Sequence, residues 1–122
     1  MSAVDKALIF LEALGAEVEL PDWCCEYFEN AKEDGCLWDG PITHVAGTPG
    51  LCQVNSVRLC SVSPNYRIWI GWALSESGKW AAHVCAHDGR SLIEATSPRK
   101  AYFGIVLNEK DTASFMRDYE GM

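Results

Sequence analysis

Apolar positions recur at helical spacing from the start of the chain. Val4, Ala7, Leu8, Leu11 and Leu14 share one face, behind Ser2-x-x-Asp5, which resembles a capping box, and ahead of Gly15, a natural residue to follow a helix. The spacing predicts a helix over about 3–14. Ala16 to Leu20 alternates, as a short strand or extended link does. Pro21-Asp22 opens a second helix with Asp22 as N-cap, an apolar face of Trp23, Cys24, Tyr27, Phe28 and Ala31, and an end at Gly35. From Cys36 to Gly50 no period holds, and the stretch reads as a long loop able to wall a cleft, with Trp38 its best candidate to line one. A third helix starts at or near Cys52, with Cys52, Val57 and Cys60 expected inward and Val54 or Leu59 at the margins.

The pattern then changes to that of strands. Tyr66 to Leu74 is rich in aromatic and β-branched residues, and Trp69 and Trp72 fall on opposite faces, one for the core and one free to act as a platform. Ser77-Gly78 is a turn, Trp80 to His87 a second strand, Asp88-Gly89 a hairpin turn and Arg90 to Ala95 a third strand. Read as a two-residue loop, that turn pairs His83 with Glu94 across the hairpin. Ser97-Pro98 breaks the strand, Ala101 to Leu107 makes a fourth, and Asp111 caps a last helix with Phe115 and Tyr119 on one face. Helices first, then strands, then a short helix predict a single α+β domain over 1–122. Its N-terminal helices and the Cys-bearing helix are expected to pack on one face of an antiparallel β-meander.

Charge and composition narrow the function. The net charge is −7 with pI near 4.8, and there is no basic run, so nucleic acid is excluded as a partner. No stretch of about 18 apolar residues exists, so no membrane span is expected. The first residues lack a basic n-region, so no signal peptide is read. The expected location is the cytoplasm, with the six Cys largely reduced.

The chemistry-bearing residues come in a definite order. Cys52 stands at a helix start, where unpaired N–H groups and the dipole favour a thiolate. His83 follows on a strand and Glu94 on the next. Nucleophile, base and orienting acid make a triad layout. Asn55, three residues after Cys52, is read as holding a loop carbonyl. A rival arrangement is His83-x-Cys85-x-His87, whose side chains share one strand face and suit zinc, with Cys52 as a possible fourth ligand. Cys24-Cys25 with Cys36 is a sparser zinc set.

The order of helix-start Cys52, strand His83 and neighbouring Glu94, with Ile93-Glu94-Ala95-Thr96 and Tyr102-Phe103-Gly104 behind it, resembles the core of the papain-like and transglutaminase-like cysteine enzymes, the NlpC/P60 peptidases among them. The resemblance covers roughly 50–107. It implies a papain-like core and a cysteine hydrolase or acyl transferase acting on amide bonds of a protein or peptide substrate. Cys52 would be nucleophile, His83 base and Glu94 the residue that holds the imidazole, with no cofactor and no metal. Two departures stand out. The Gln those enzymes carry before the Cys is absent, positions 46 and 47 being Ala46 and Gly47; Thr48, His44 and Gln53 are the substitutes in reach as oxyanion donor. The third residue is Glu rather than Asp or Asn, and Asp88 is its competitor. A specialised bacterial or phage protein that modifies a host protein is the expected setting. The alternatives are a non-catalytic binding or inhibitory module on the same core, and a small zinc-binding domain.

Overall fold

A computed structural model describes residues 17–18, 26–48 and 51–120, with side chains for 27–48 and 51–118. The helix expected over 3–14, the start of the second helix with Asp22, Trp23 and the Cys24-Cys25 pair, and the Pro49-Gly50 turn lie outside the described residues. The strands are β1 (Glu17–Val18), β2 (Cys36–Leu37), β3 (Ile42–His44), β4 (Arg67–Leu74), β5 (Lys79–His87), β6 (Leu92–Glu94) and β7 (Ala101–Val106). The helices are α1 (Glu26–Asp34), α2 (Cys52–Val62) and α3 (Glu109–Glu120). Along the sheet the strands run β2-β7-β4-β5-β6-β3, and β1 pairs with β5.

The class is α+β, as expected, but the sheet is mixed. In a simple meander the 101–107 strand would lie beside β6. Instead β7 adds next to β4, its approach fixed where Lys100 N donates to Leu74 O at 2.8 Å. Proline at 98 has no N–H to donate, which suits a crossing segment rather than a ladder. The free edge of β6 is taken by β3 in parallel register, Ile42 opposite Leu92 and His44 opposite Glu94. The 36–50 stretch is therefore not all loop; it contributes two short strands. Nor does β4 keep an open face: every residue from Ile68 to Ala73 is buried, so Trp69 and Trp72 are both core and neither is a platform.

Contacts divide the chain into two compact units. The first takes the described residues up to Trp38 with Ile70–His83 and Arg99–Ile105. In it α1 buries Tyr27, Phe28 and Ala31, and the Phe28 ring meets Trp72 edge-on at 5.5 Å. Such a pair contributes about 1 kcal/mol beyond its buried area. Here β2 runs antiparallel to β7, and Trp38 N donates to Tyr102 O at 2.8 Å, which ties this half-buried tryptophan to the β7 edge. The strand β1 lies parallel to the start of β5, Val18 opposite the fully buried Trp80.

The second unit takes Asp39–Trp69, Val84–Pro98 and the chain from Val106 on. Val57 and Cys60 of α2 are buried, as expected, whereas Cys52, also expected inward, is only half-buried. The entry to α3 is locked by Leu107 N donating to Ile68 O at 2.8 Å and Ile68 N donating to Thr112 Oγ1 at 3.2 Å. The cap of α3 is Asn108, not Asp111: Asn108 Oδ1 accepts from Asp111 N at 2.8 Å, three residues on, as an N-cap side chain does.

Candidate functional site

Side chains alternate along β5, so His83, Cys85 and His87 leave one face. The hairpin to β6 pairs Ala86 with Ile93 and His87 with Leu92. One pair further, Cys85 faces Glu94. The two-residue loop expected at Asp88-Gly89 is thus a four-residue loop, Asp88 to Ser91, and the register is displaced by two. The cause is the Asp88 carboxylate, which accepts from Arg90 N at 2.9 Å, Ser91 N at 2.7 Å and Ser91 Oγ at 3.1 Å, while Asp88 N donates to Ser91 O at 3.2 Å. Gly89 takes φ +100°, open to glycine at no steric cost. The N–H groups of Ser91 and Arg90, in that order, hold the Asp88 carboxyl below the ordinary aspartate range. Asp88 is therefore occupied in the turn, as Asp-Gly turn chemistry requires.

A displacement of two keeps the face. A nitrogen of His83, the Cys85 sulfur and a Glu94 carboxylate oxygen lie within 4.8 Å of one another. Their residues are 2%, 1% and 1% exposed, so this is a buried polar cluster in the β5–β6 hairpin. A buried carboxylate needs partners. Glu94 Oε2 accepts from Thr96 Oγ1 at 3.0 Å and Thr96 N at 3.3 Å, and the Glu94 main-chain carbonyl accepts from Val45 N at 3.0 Å. The glutamate is thereby fixed from both its backbone and its side chain. The His83 ring lies 6.3 Å from that of the buried Tyr102.

His87 does not join the cluster. Its Nδ1 accepts from Gly89 N at 3.2 Å, and burial lowers its pKa against the pull of Asp88. The His83-x-Cys85-x-His87 zinc set is not the one assembled; Glu94 stands in for His87. The donors of His83, Cys85 and Glu94 are nitrogen, sulfur and oxygen, a set suited to zinc, whose tetrahedral ligands stand about 3.5 Å apart.

Cys52 is the first residue of α2, where the helix-start reading puts it, and it is half-buried. The N-cap position is Leu51, which supplies no side-chain cap, and the first turn carries no acid. Among the described residues, then, no capping or acidic side chain of the N-cap or first turn sits on the N-terminal N–H groups of α2. The Cys52 S–H reaches Gln53 Oε1 at 3.6 Å. Asn55 plays the loop-holding role expected of it: Nδ2 donates to Thr48 O at 2.9 Å and Oδ1 accepts from Thr48 N at 3.2 Å. That bond occupies Thr48 N, so this main-chain donor is not open to an oxyanion. His44 is exposed on β3.

Ser56, one turn after Cys52, donates from Oγ to Cys52 O at 2.7 Å and to Val84 O at 3.1 Å. This ties the first turn of α2 to β5 at the residue between His83 and Cys85. On a helix with about 100° per residue, Cys52 projects between Asn55, about 60° to one side, and Ser56, about 40° to the other. Its side chain leaves α2 between the 46–48 segment and β5.

Cys85, Thr96 and Tyr102 escaped the triad reading. Cys85 was visible as the same-face neighbour of His83. Thr96 carries the usual signal of a hydroxyl two residues after a strand-end acid. Tyr102 had none, because its place depends on β7 not following β6. No protein-family model, no curated protein and no solved structure matches this chain.

Proposed function

We propose that the protein is a cysteine-dependent hydrolase or acyl transferase acting on amide bonds of a protein or peptide, on a papain-like core. Cys52 is the nucleophile, His83 the base and Glu94 the residue that orients the imidazole. The observation that carries this reading is the buried approach of His83 and Glu94 on adjacent strands, with an uncapped helix-start cysteine joined to the same strand through Ser56. A thiolate from Cys52 attacks the amide carbonyl, His83 protonates the leaving amine, and water or an amine releases the thioester. The Cys52 main-chain N–H at the head of α2 is the first oxyanion donor. The order of helix-borne Cys, then β4, β5 and β6, supports the papain-like assignment.

The test is alkylation by iodoacetamide, read residue by residue by mass spectrometry across pH 5–9. Cys52 is expected to react at pH 6 far faster than the other thiols, and His83→Gln to move its reactivity toward that of an ordinary thiol of pKa ~8.5. A wild-type Cys52 that already titrates as an ordinary thiol would sink the enzyme reading and leave a non-catalytic binding module.

A second reading is favoured by the nitrogen, sulfur and oxygen donors gathered at His83, Cys85 and Glu94. On it the protein is a small zinc-binding domain. Zinc co-purifying at one equivalent, and lost with Cys85→Ala, would establish it; metal-free protein with an unchanged melting temperature after added zinc would dismiss it.

A further inference from the structure

The second unit holds a groove of about 240 Å³ between α2, the 46–48 segment and Ala95. Its helix side presents Asn55, Arg58, Leu59 and Val62. Leu59 is half-buried and Val62 is 80% exposed, the most exposed of the large apolar residues described. Arg58 is exposed, and its guanidinium has no hydrogen-bond or ion-pair partner among the described residues; its main-chain carbonyl accepts from Ser61 Oγ at 3.1 Å. The opposite wall is main chain. Gly47 presses on Ala95 so closely that a Cβ there would stand 2.2 Å from Ala95 O. The exposed Ala46 and Gly47 have main-chain N–H and C=O groups without partners among the described residues.

Resting on the cysteine-enzyme reading, we infer that this groove is a specificity subsite that takes an extended peptide segment of the substrate, an aliphatic side chain seated on Leu59 and Val62 and a carboxylate on Arg58. The main-chain groups of Ala46 and Gly47, without partners among the described residues, suit an extended peptide, which pairs backbone to backbone. An unpaired guanidinium suits a carboxylate, whose two oxygens match its fork. The net charge of −7 opposes acidic ligands only at long range, since screening acts over about 8 Å at physiological salt, whereas the direct pair persists. Cys52 does not line the groove; at about 100° per residue Leu59, Asn55 and Val62 lie about 20°, 60° and 80° round α2 from it, and Arg58 about 120°. At about 1.5 Å of rise per residue, Arg58 lies about 9 Å along the axis from the nucleophile. With the turn of about 120° round a helix of surface radius about 5–6 Å, the path is about 13 Å, which an extended chain covers in three or four residues. The preferred acid therefore stands three or four residues from the bond attacked.

The experiment uses the full chain and four alkylating probes: plain iodoacetamide, iodoacetyl-Leu-Leu-Glu-amide and its Gln and Lys counterparts. At pH 8, where an exposed thiol reacts whether or not it is activated, the Glu probe is expected to modify Cys52 about tenfold faster than the Gln probe. Arg58→Gln is expected to erase that ratio and Arg58→Glu to invert it toward a Lys-tailed probe, with the plain iodoacetamide rate unchanged in both. Equal rates for the Glu and Gln probes on the wild-type protein would overturn the inference, whatever plain iodoacetamide does. Slow plain iodoacetamide at pH 6 would count against the enzyme reading alone, so the two failures are told apart.

Discussion

Ser56→Ala tests whether the hydroxyl that joins α2 to β5 positions Cys52, the proposed nucleophile. Ser56 is 2% exposed, and its single proton is shared between Cys52 O at 2.7 Å and Val84 O at 3.1 Å. Alanine removes both contacts. Cys52 O keeps the main-chain bond of the helix ladder, so its loss is small. Val84 O loses its side-chain partner in a buried place, at about 1–2 kcal/mol. Alanine also gains about 0.5 kcal/mol over serine in helix propensity. The burial term wins, and the net destabilisation is about 1 kcal/mol, which for a domain of this size lowers the melting temperature by about 4 °C.

Ser61 supplies the control. It makes the same backward bond within α2, to Val57 O at 2.7 Å, but it is exposed and reaches no strand. Ser61→Ala should therefore be neutral or raise stability by up to about 0.5 kcal/mol. Thermal melting by circular dichroism gives the stabilities, and alkylation at pH 6 gives Cys52 reactivity. Ser56→Ala is expected to lower both and Ser61→Ala neither. Equal shifts of one sign for the two variants would show that the Val84 contact contributes nothing and that only helix propensity is being read.

Four further outcomes are expected. Glu94→Gln should slow turnover by about tenfold or more with the fold kept: an amide that leaves its oxygen on Thr96 turns an N–H toward His83, where the imidazole needs an acceptor. Asp88→Asn should spare turnover in a steady-state assay but flatten the acid limb of stability. The folded Asp88 pKa is depressed, so its contribution is present above the ordinary range near 4 and is lost as pH falls through the folded value. Burial pushes the Cys60 thiol up to about 11, against the opposing Arg67 charge, so Cys60 should resist iodoacetamide at pH 8; because the folded pKa is raised, the stability it contributes is full below about 9 and is lost as pH rises through 11. Rapid labelling of Cys60 in the folded protein at pH 8 would contradict that burial. Gly47→Ala must displace the 46–48 segment from Ala95, and should cost about 1–3 kcal/mol by denaturant melting; an unchanged midpoint would mean the close approach is not maintained.

What the residues disclosed, and what they hid, follows from the range of the forces involved. The aromatic and β-branched run of β4 and the alternation of β5 were legible because burial acts on every residue of a strand. The helix start at Cys52 and the role of Asn55 were legible because both depend on neighbours within one or two turns. The strands β2 and β3 were not: two or three residues carry no period, and their partners on β7 and β6 are remote in sequence. The mixed strand order was hidden for the same reason, since nothing within 101–106 distinguishes an edge beside β6 from an edge beside β4.

The hairpin separates two kinds of information that are easily merged. Asp-Gly marked a turn correctly, but the loop length was decided by a carboxylate that captures Ser91 and Arg90. That is a side-chain event with no trace in the polar pattern. The register moved by two and placed Cys85, not His83, opposite Glu94. Alternation encodes only which face a residue leaves, and a move of two leaves faces unchanged, whereas a move of one would have sent Glu94 to the other side of the sheet. The approach of His83 and Glu94 therefore survives an error in their pairing, with Cys85 drawn into the cluster as the consequence. A buried thiol beside the proposed base and its carboxylate must stay protonated if the histidine is to serve Cys52. Cys85→Ala should then keep the pH 6 reactivity of Cys52, and a large fall in that reactivity would make Cys85, rather than Glu94, the group that sets the state of His83.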